Sequence, residues 1–262
     1  MLRPDTAKLW DFLRDDRALS GFVLVGGTAL SMHLDHRISE DLDLMFLGKQ
    51  LPKGRIDALK RRAWAAGFEF NANDSPEVVA EFEDTGMDYR DFQQDYVVNG
   101  TVKVTFVAPD AENSRQLEHV ESPGPRVASM EEIFRLKCIV AADRSKTRDW
   151  FDLYLLLKEG RFKPADMLAT FQRGGVPSKY DIAIRRLSEG RPSLNDEGYE
   201  TLLPNAPSVE QMREFFIAVR DHNEIEIAVM DDVVQRVNSA PTHPKTEPGI
   251  ASTGSAIKRR RP

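Results

Sequence analysis

The chain has 262 residues, enough for one large domain or two small ones. An apolar fraction of 41% and a charged fraction of 30% mark an ordinary folded protein, and no run approaches the roughly 20 apolar residues of a membrane span. A net charge of −6 does not advertise a generic nucleic-acid binder, and the one cysteine, Cys138, excludes an intramolecular disulfide and fits a cytoplasmic protein.

Residues 5–17 read as a first helix, with Leu9, Phe12 and Leu13 on one face. Phe22 to Val25 reads as a short buried strand, followed by a helix near 28–34 and a strand at 41–46. An amphipathic helix follows over 55–66. The zone after Gly67 is strand-like at 68–72 and again from Val78 to Glu83. Asp95–Val98 and Thr101–Val107 flank Asn99-Gly100, the strongest short hairpin signal. The first half is thus a mixed α/β unit of about five strands, and the second half is helical. Ser129 and Glu132 form a capping box for a helix over 130–142, and a second helix spans 147–158. Further helices are expected near 164–172, 178–188 and 208–236, with a proline-containing loop over 191–208. The expected division is an α/β core over 1–125, a helical region over 126–237, and a disordered basic tail over 238–262 that ends Lys258-Arg-Arg-Arg261.

The chemistry concentrates first in Gly26-Gly27-Thr28 and Asp41-Leu42-Asp43. Two glycines at a strand end allow a sharp turn and a close backbone approach to a ligand. Thr28 is placed to cap the following helix, whose free N–H groups are phosphate donors. Asp41 and Asp43 share one strand face, with Cα atoms about 7 Å apart, so both can reach one hard cation. Mg²⁺ suits such oxygen ligands and shares its shell with substrate phosphates; Mn²⁺ is a possible substitute. Either motif alone is common, and Gly-Gly is often only a turn. In strand–turn–helix–strand order they describe a metal–triphosphate site.

A second constellation lies at Lys137, Arg148, Asp149 and Asp152. Lys137 sits at the edge of a buried helix face, from where its ammonium can reach a triphosphate. Asp149 and Asp152 are three residues apart and share a helix face. One of them could deprotonate an acceptor hydroxyl or brace Lys137 or Arg148. An exposed ion-pair network fits the spacing equally well.

Gly26-Gly27-Thr28 with Ser39-Glu-Asp-Leu-Asp43 resembles the first motif of the nucleotidyltransferase superfamily. Lys137 and the run Arg148-Asp149-Trp-Phe-Asp152-Leu-Tyr154 resemble the AbiEii/AbiGii toxin branch, which includes the MenT-type toxins. The resemblance covers about residues 20–160. It implies an α+β, polymerase-β-like fold and transfer of a nucleoside monophosphate from an NTP to an acceptor hydroxyl, with RNA such as the tRNA 3′ end as acceptor and an antitoxin as partner. It implies Mg²⁺ on Asp41 and Asp43, phosphates on Gly26, Gly27 and Thr28 with Ser39 nearby, and Lys137 on the triphosphate. Asp149 or Asp152 would complete the site.

One departure stands out. Many nucleotidyltransferases carry a third carboxylate on a later strand, but Thr101–Val107 has none; Lys103 and Thr105 share one of its faces. That absence makes Asp149 or Asp152 the candidate base, and it also fits a degenerate module that binds NTP without turnover. An acidic band at Glu81, Glu83, Asp84, Asp88, Asp91 and Asp95 would favour a cationic small molecule or protein side chain as acceptor if it lies near the cleft. A solvated strand edge is the commoner origin of such a band. His36 and Arg37 lie in the linker before Asp41, from where they could approach the nucleotide, but they are expected at the surface.

Overall fold

The computed structural model describes residues 2–199, 201 and 206–239. In chain order the elements are α1 (Pro4–Leu13), β1 (Phe22–Val25), α2 (Gly26–Leu34), β2 (Leu42–Phe46), α3 (Lys53–Ala65), β3 (Phe70–Ala72), α4 (Pro76–Asp84), β4 (Gln93–Val98), β5 (Val102–Val107), α5 (Ala111–Ser114), β6 (Arg126–Val127), α6 (Met130–Asp143), α7 (Thr147–Lys158), α8 (Pro164–Gly174), α9 (Lys179–Glu189) and α10 (Val209–Ser239). Contacts divide the chain into two units, Met1–Asn223 and Glu224–Pro262, so the boundary falls inside α10. The basic tail expected over 238–262 lies, from residue 240 onward, outside the described residues. No helix among the described residues is long and apolar enough to cross a membrane.

The sheet order is β3-β4-β5-β2-β1-β6, a mixed sheet of the expected α+β class. β2 pairs antiparallel with β1 and parallel with β5. β4 and β5 form the predicted hairpin, with Asn99 and Gly100 both at positive φ (50° and 73°) as a two-residue turn of this hand requires. Alternation sets the faces. Leu42, Leu44, Val104, Phe106, Tyr96 and Val98 point into the core, where Lys60 of α3 lies 4.9 Å over the Tyr96 ring. Asp43, Met45, Lys103, Thr105, Gln93 and Asp95 lie on the opposite, less covered face.

Two strand expectations change. Val78 to Glu83 is not a strand but part of α4. Pro76 sits in its first turn, and Val78 and Phe82, four residues apart, share one helical face. A short strand not expected from the sequence, β6, pairs parallel with β1, giving six strands in all. The first helix also ends earlier than expected, at Leu13, and a 3₁₀ turn covers Arg17–Leu19.

The helical region is built around α6, which packs against α2, α7, α8 and α9. The predicted capping box is present: the Glu132 N–H donates to Ser129 Oγ at 3.2 Å, and the Ser129 N–H donates to Glu132 Oε2 at 2.7 Å. Glu132 does more than cap. It accepts from both Arg126 terminal nitrogens, at 2.6 and 2.7 Å, and from the Glu118 N–H at 2.6 Å. Burial alone would raise its pKa, but Arg126 and these backbone donors outweigh it and hold the carboxyl below its usual range.

Candidate active site

α2 starts directly from β1. Val25 is its N-cap, with no side-chain hydrogen bond, so Thr28 is not the cap the sequence leads one to expect. The Thr28 hydroxyl instead bonds Ser39 Oγ at 2.8 Å and donates to the Asp41 carbonyl. Thr28 and Ser39 therefore fix the segment that leads into β2. Gly26 has φ +73°, which glycine adopts without strain, and a Cβ there would come 2.5 Å from Asp43 Oδ2. A Cβ on Gly27 would overlap the Arg37 guanidinium. The two glycines thus make room for a carboxylate and a guanidinium beside the open helix N-terminus.

A pocket of about 220 Å³ collects Gly26, Gly27, Thr28, Ser39, Asp41, Asp43, Lys137, Arg148 and Asp149. Asp152, alone among the residues expected at the site, does not line it. Four residues that the sequence reading did not place there do: Arg37, Arg144, Lys146 and Glu197. Arg37, expected at the surface, is buried, and so is the His36 side chain. A usable signal was present at the start of α7. Arg144, Lys146 and Arg148 cluster where the helix dipole favours anions, so that run is electrostatically misplaced unless an anion joins it.

The electrostatics divide into two layers. Behind the pocket, fully buried Asp152 takes both Arg37 Nε and Nη2 at 2.9 Å, His36 Nε2 at 2.9 Å and Lys137 Nζ at 2.9 Å. Burial would raise its pKa, but Lys137, Arg37 and His36 hold it well below the carboxylate range. Asp149 pairs with Lys137 and takes Arg144 Nε at 2.9 Å; its pKa is likewise lowered, Lys137 and Arg144 outweighing burial. Lys137 stays protonated because Asp149 and Asp152 outweigh its own burial. Neither aspartate of α7 is a free base.

In front, the Asp41 and Asp43 carboxylates have no hydrogen-bond or ion-pair partner among the described residues. Burial, then repulsion from Asp41, pushes the Asp43 pKa up to about 6, against the pull of Arg144 and Lys137. Asp41 is raised as well, first by burial and then by Glu197, with Lys103 opposing. Glu197 stands at the mouth, 3.0 Å from Arg148 Nη1 and 3.4 Å from Lys103 Nζ. Two hard carboxylates that destabilise one another and lack donors are a fitting donor pair for a divalent cation. Among the described residues no group of three or more His, Cys, Asp or Glu is placed to hold a metal ion.

A family model described as nucleotidyl transferase AbiEii toxin, type IV toxin–antitoxin system, matches residues 9–222. No curated protein matches. The crystal structure of JHP933 from Helicobacter pylori is similar at a TM-score of 0.47 and 20% identity, over 89% of this chain and 99% of that one. A second H. pylori crystal structure, provisionally described as a nucleotidyltransferase, has the same score and identity over 86% and 96%.

Proposed function

The chain belongs to the AbiEii nucleotidyltransferase toxin family of type IV toxin–antitoxin systems, which implies a cognate antitoxin, and from that premise we propose Mg²⁺-dependent transfer of a nucleoside monophosphate from an NTP to an acceptor hydroxyl on RNA, such as the 3′ end of tRNA. The observation that carries the metal and triphosphate reading is the donor-free Asp41–Asp43 pair facing the α2 N-terminus and a cationic wall.

Asp41 and Asp43 would hold the cation. The first N–H groups of α2 have no intrahelical partner and can donate to phosphate oxygens. Lys137 and Arg144, fixed by Asp149 and Asp152, would face the β and γ phosphates. Bound Mg²⁺ would polarise the α-phosphoryl group and offset charge on the leaving pyrophosphate. Positioning and electrostatics carry most of such a reaction. Asp152 then acts by orienting Arg37 and Lys137, and Asp149 by orienting Lys137 and Arg144. The test is to incubate the full chain with Mg²⁺, each α-labelled NTP and total tRNA. Label should enter RNA with wild type and not with Asp43→Asn; no label in RNA from any NTP would sink the proposal.

A second acceptor class is favoured by α4, which carries Glu77, Glu81, Glu83 and Asp84 and no cation. These acids would draw a cationic hydroxylated small molecule or protein side chain to that flank of the protein. Adding a hydroxylated polyamine in place of tRNA separates the two: label on the polyamine alone supports the second reading.

A further inference from the structure

The sheet position beside Asp43 holds a hydroxyl instead of an acid. Thr105 is the register partner of Asp43 across β2 and β5, and Asp95 is the partner of Thr105 across β5 and β4. At about 4.8 Å per strand spacing, Asp95 stands about 10 Å from Asp43, with Thr105 between them on the same face. The Thr105 hydroxyl donates to Asp95 Oδ1 at 2.9 Å. Asp95 Oδ2 accepts from Tyr89 Oη and Gln93 Nε2, both at 2.8 Å. The Asp95 N–H donates to Asp74 Oδ1 at 2.8 Å, and Asp74 is paired with Arg90 at 2.7 Å. Burial and Asp95 push the Tyr89 phenol up, so it remains a donor. The carboxylate is therefore anchored from three sides. A hydroxyl has one proton, and that of Thr105 is committed to Asp95, so its oxygen has only lone pairs left to offer.

Thr105 also lines a groove of about 590 Å³ between the β4–β5 surface and α4, together with Asp95, Phe82, Phe92, Gln93 and Lys103. The groove adjoins the metal pocket where Lys103 meets Glu197. In-line transfer puts the attacking oxygen opposite the leaving pyrophosphate. With the pyrophosphate held at the α2 end of the sheet, the opposite side of Asp43 is the β5–β4 side. We propose that this groove receives the hydroxyl-bearing end of the acceptor, and that Thr105, oriented by Asp95, takes the hydrogen bond of the attacking hydroxyl. This rests on the transferase reading. As the acceptor O–P bond forms and the P–O bond to pyrophosphate breaks, the acceptor proton passes to Thr105 Oγ1 while the Thr105 proton passes to Asp95. The half-buried rings of Phe82 and Phe92 flank the entering group.

The test uses the full chain, total tRNA and α-labelled NTPs, with transfer rates and Mg·NTP calorimetry read in parallel. Thr105→Val, nearly isosteric, should lower kcat by about 100-fold, the scale of a lost general base, with Mg·NTP binding unchanged. Thr105→Ser should restore most of it. Asp95→Asn should fall with Thr105→Val, because an amide can accept the Thr105 hydrogen bond but not the proton. Transfer by Thr105→Val within threefold of wild type would overturn the proposal, and so would loss of Mg·NTP binding in that variant. Transfer that survives Asp43→Asn would instead remove the metal-site reading, whatever Thr105 does.

Discussion

Asp43→Asn should stabilise the fold while it abolishes transfer. The Asp43 carboxyl rises from 3.8 to about 6 on folding, because burial and Asp41 both oppose its charge. About 2 pKa units at about 1.4 kcal/mol each give a penalty of up to about 3 kcal/mol, trimmed by the partial exposure of the residue. The sign follows from proton binding. Below pH 3.8 both states hold the proton and nothing is lost. From 3.8 to about 6 the folded state keeps a proton that the unfolded state releases, so stability falls as pH rises. Above about 6 the whole penalty is present. An amide never acquires that charge. The variant should therefore match wild type near pH 4 and exceed it at pH 8 by about 2–3 kcal/mol, a Tm gain of about 4–10 °C for a fold of this size. Thermal melts at both pH values measure the difference. Saturating Mg²⁺ with NTP should raise the wild-type Tm and leave the variant unmoved. A variant no more stable than wild type at pH 8, or equally advantaged at pH 4, would refute the reasoning.

Three further outcomes follow from the same geometry. Asp152→Ala removes the carboxylate that the buried Arg37 and Lys137 share, so it should lose about 3–5 kcal/mol and about 10 °C in Tm, seen in urea and thermal unfolding. Gly27→Ala should act on the same network, because its Cβ displaces the Arg37 guanidinium; it should destabilise by about 1–3 kcal/mol, and Arg37→Ala in the same chain should relieve part of that loss in a double-mutant cycle. Apparent Mg²⁺ affinity should drop about tenfold per pH unit below about 6 and level off above it, because Asp43 must shed its proton to bind; calorimetry across pH 5–8 would show it.

What the sequence made legible was local. Asn99-Gly100 specified its hairpin, Ser129 and Glu132 their helix start, and Phe22 to Val25 its buried strand, each through contacts a few residues apart. α4 was misread because two adjacent valines look like a strand, and the proline ahead of them was the better guide. The site was half legible. Asp41 and Asp43 stand where alternation puts them, and Lys137 reaches the pocket from a helix whose phase could be read. The choice between Asp149 and Asp152 was not readable, since it depends on Arg37 arriving from 115 residues away to bury itself on one of them. Gly27 likewise reads as a phosphate turn until Arg37 is seen beside it. Glu197 comes from an irregular loop, where no periodicity points inward.

Glu132 serves as an angular reference for the site. It ties the first turn of α6 to β6 through Arg126 and to the preceding loop through Glu118. Lys137 follows five residues later, about one and a half turns along the same rigid rod. A slip of one residue at the cap would rotate that lysine by about 100° around the helix axis, away from both aspartates it joins. The aim of the ammonium group is thus set by a carboxylate that never meets the reactants. Substitutions at Arg126 or Ser129, remote from the pocket, would surface first as a misdirected Lys137.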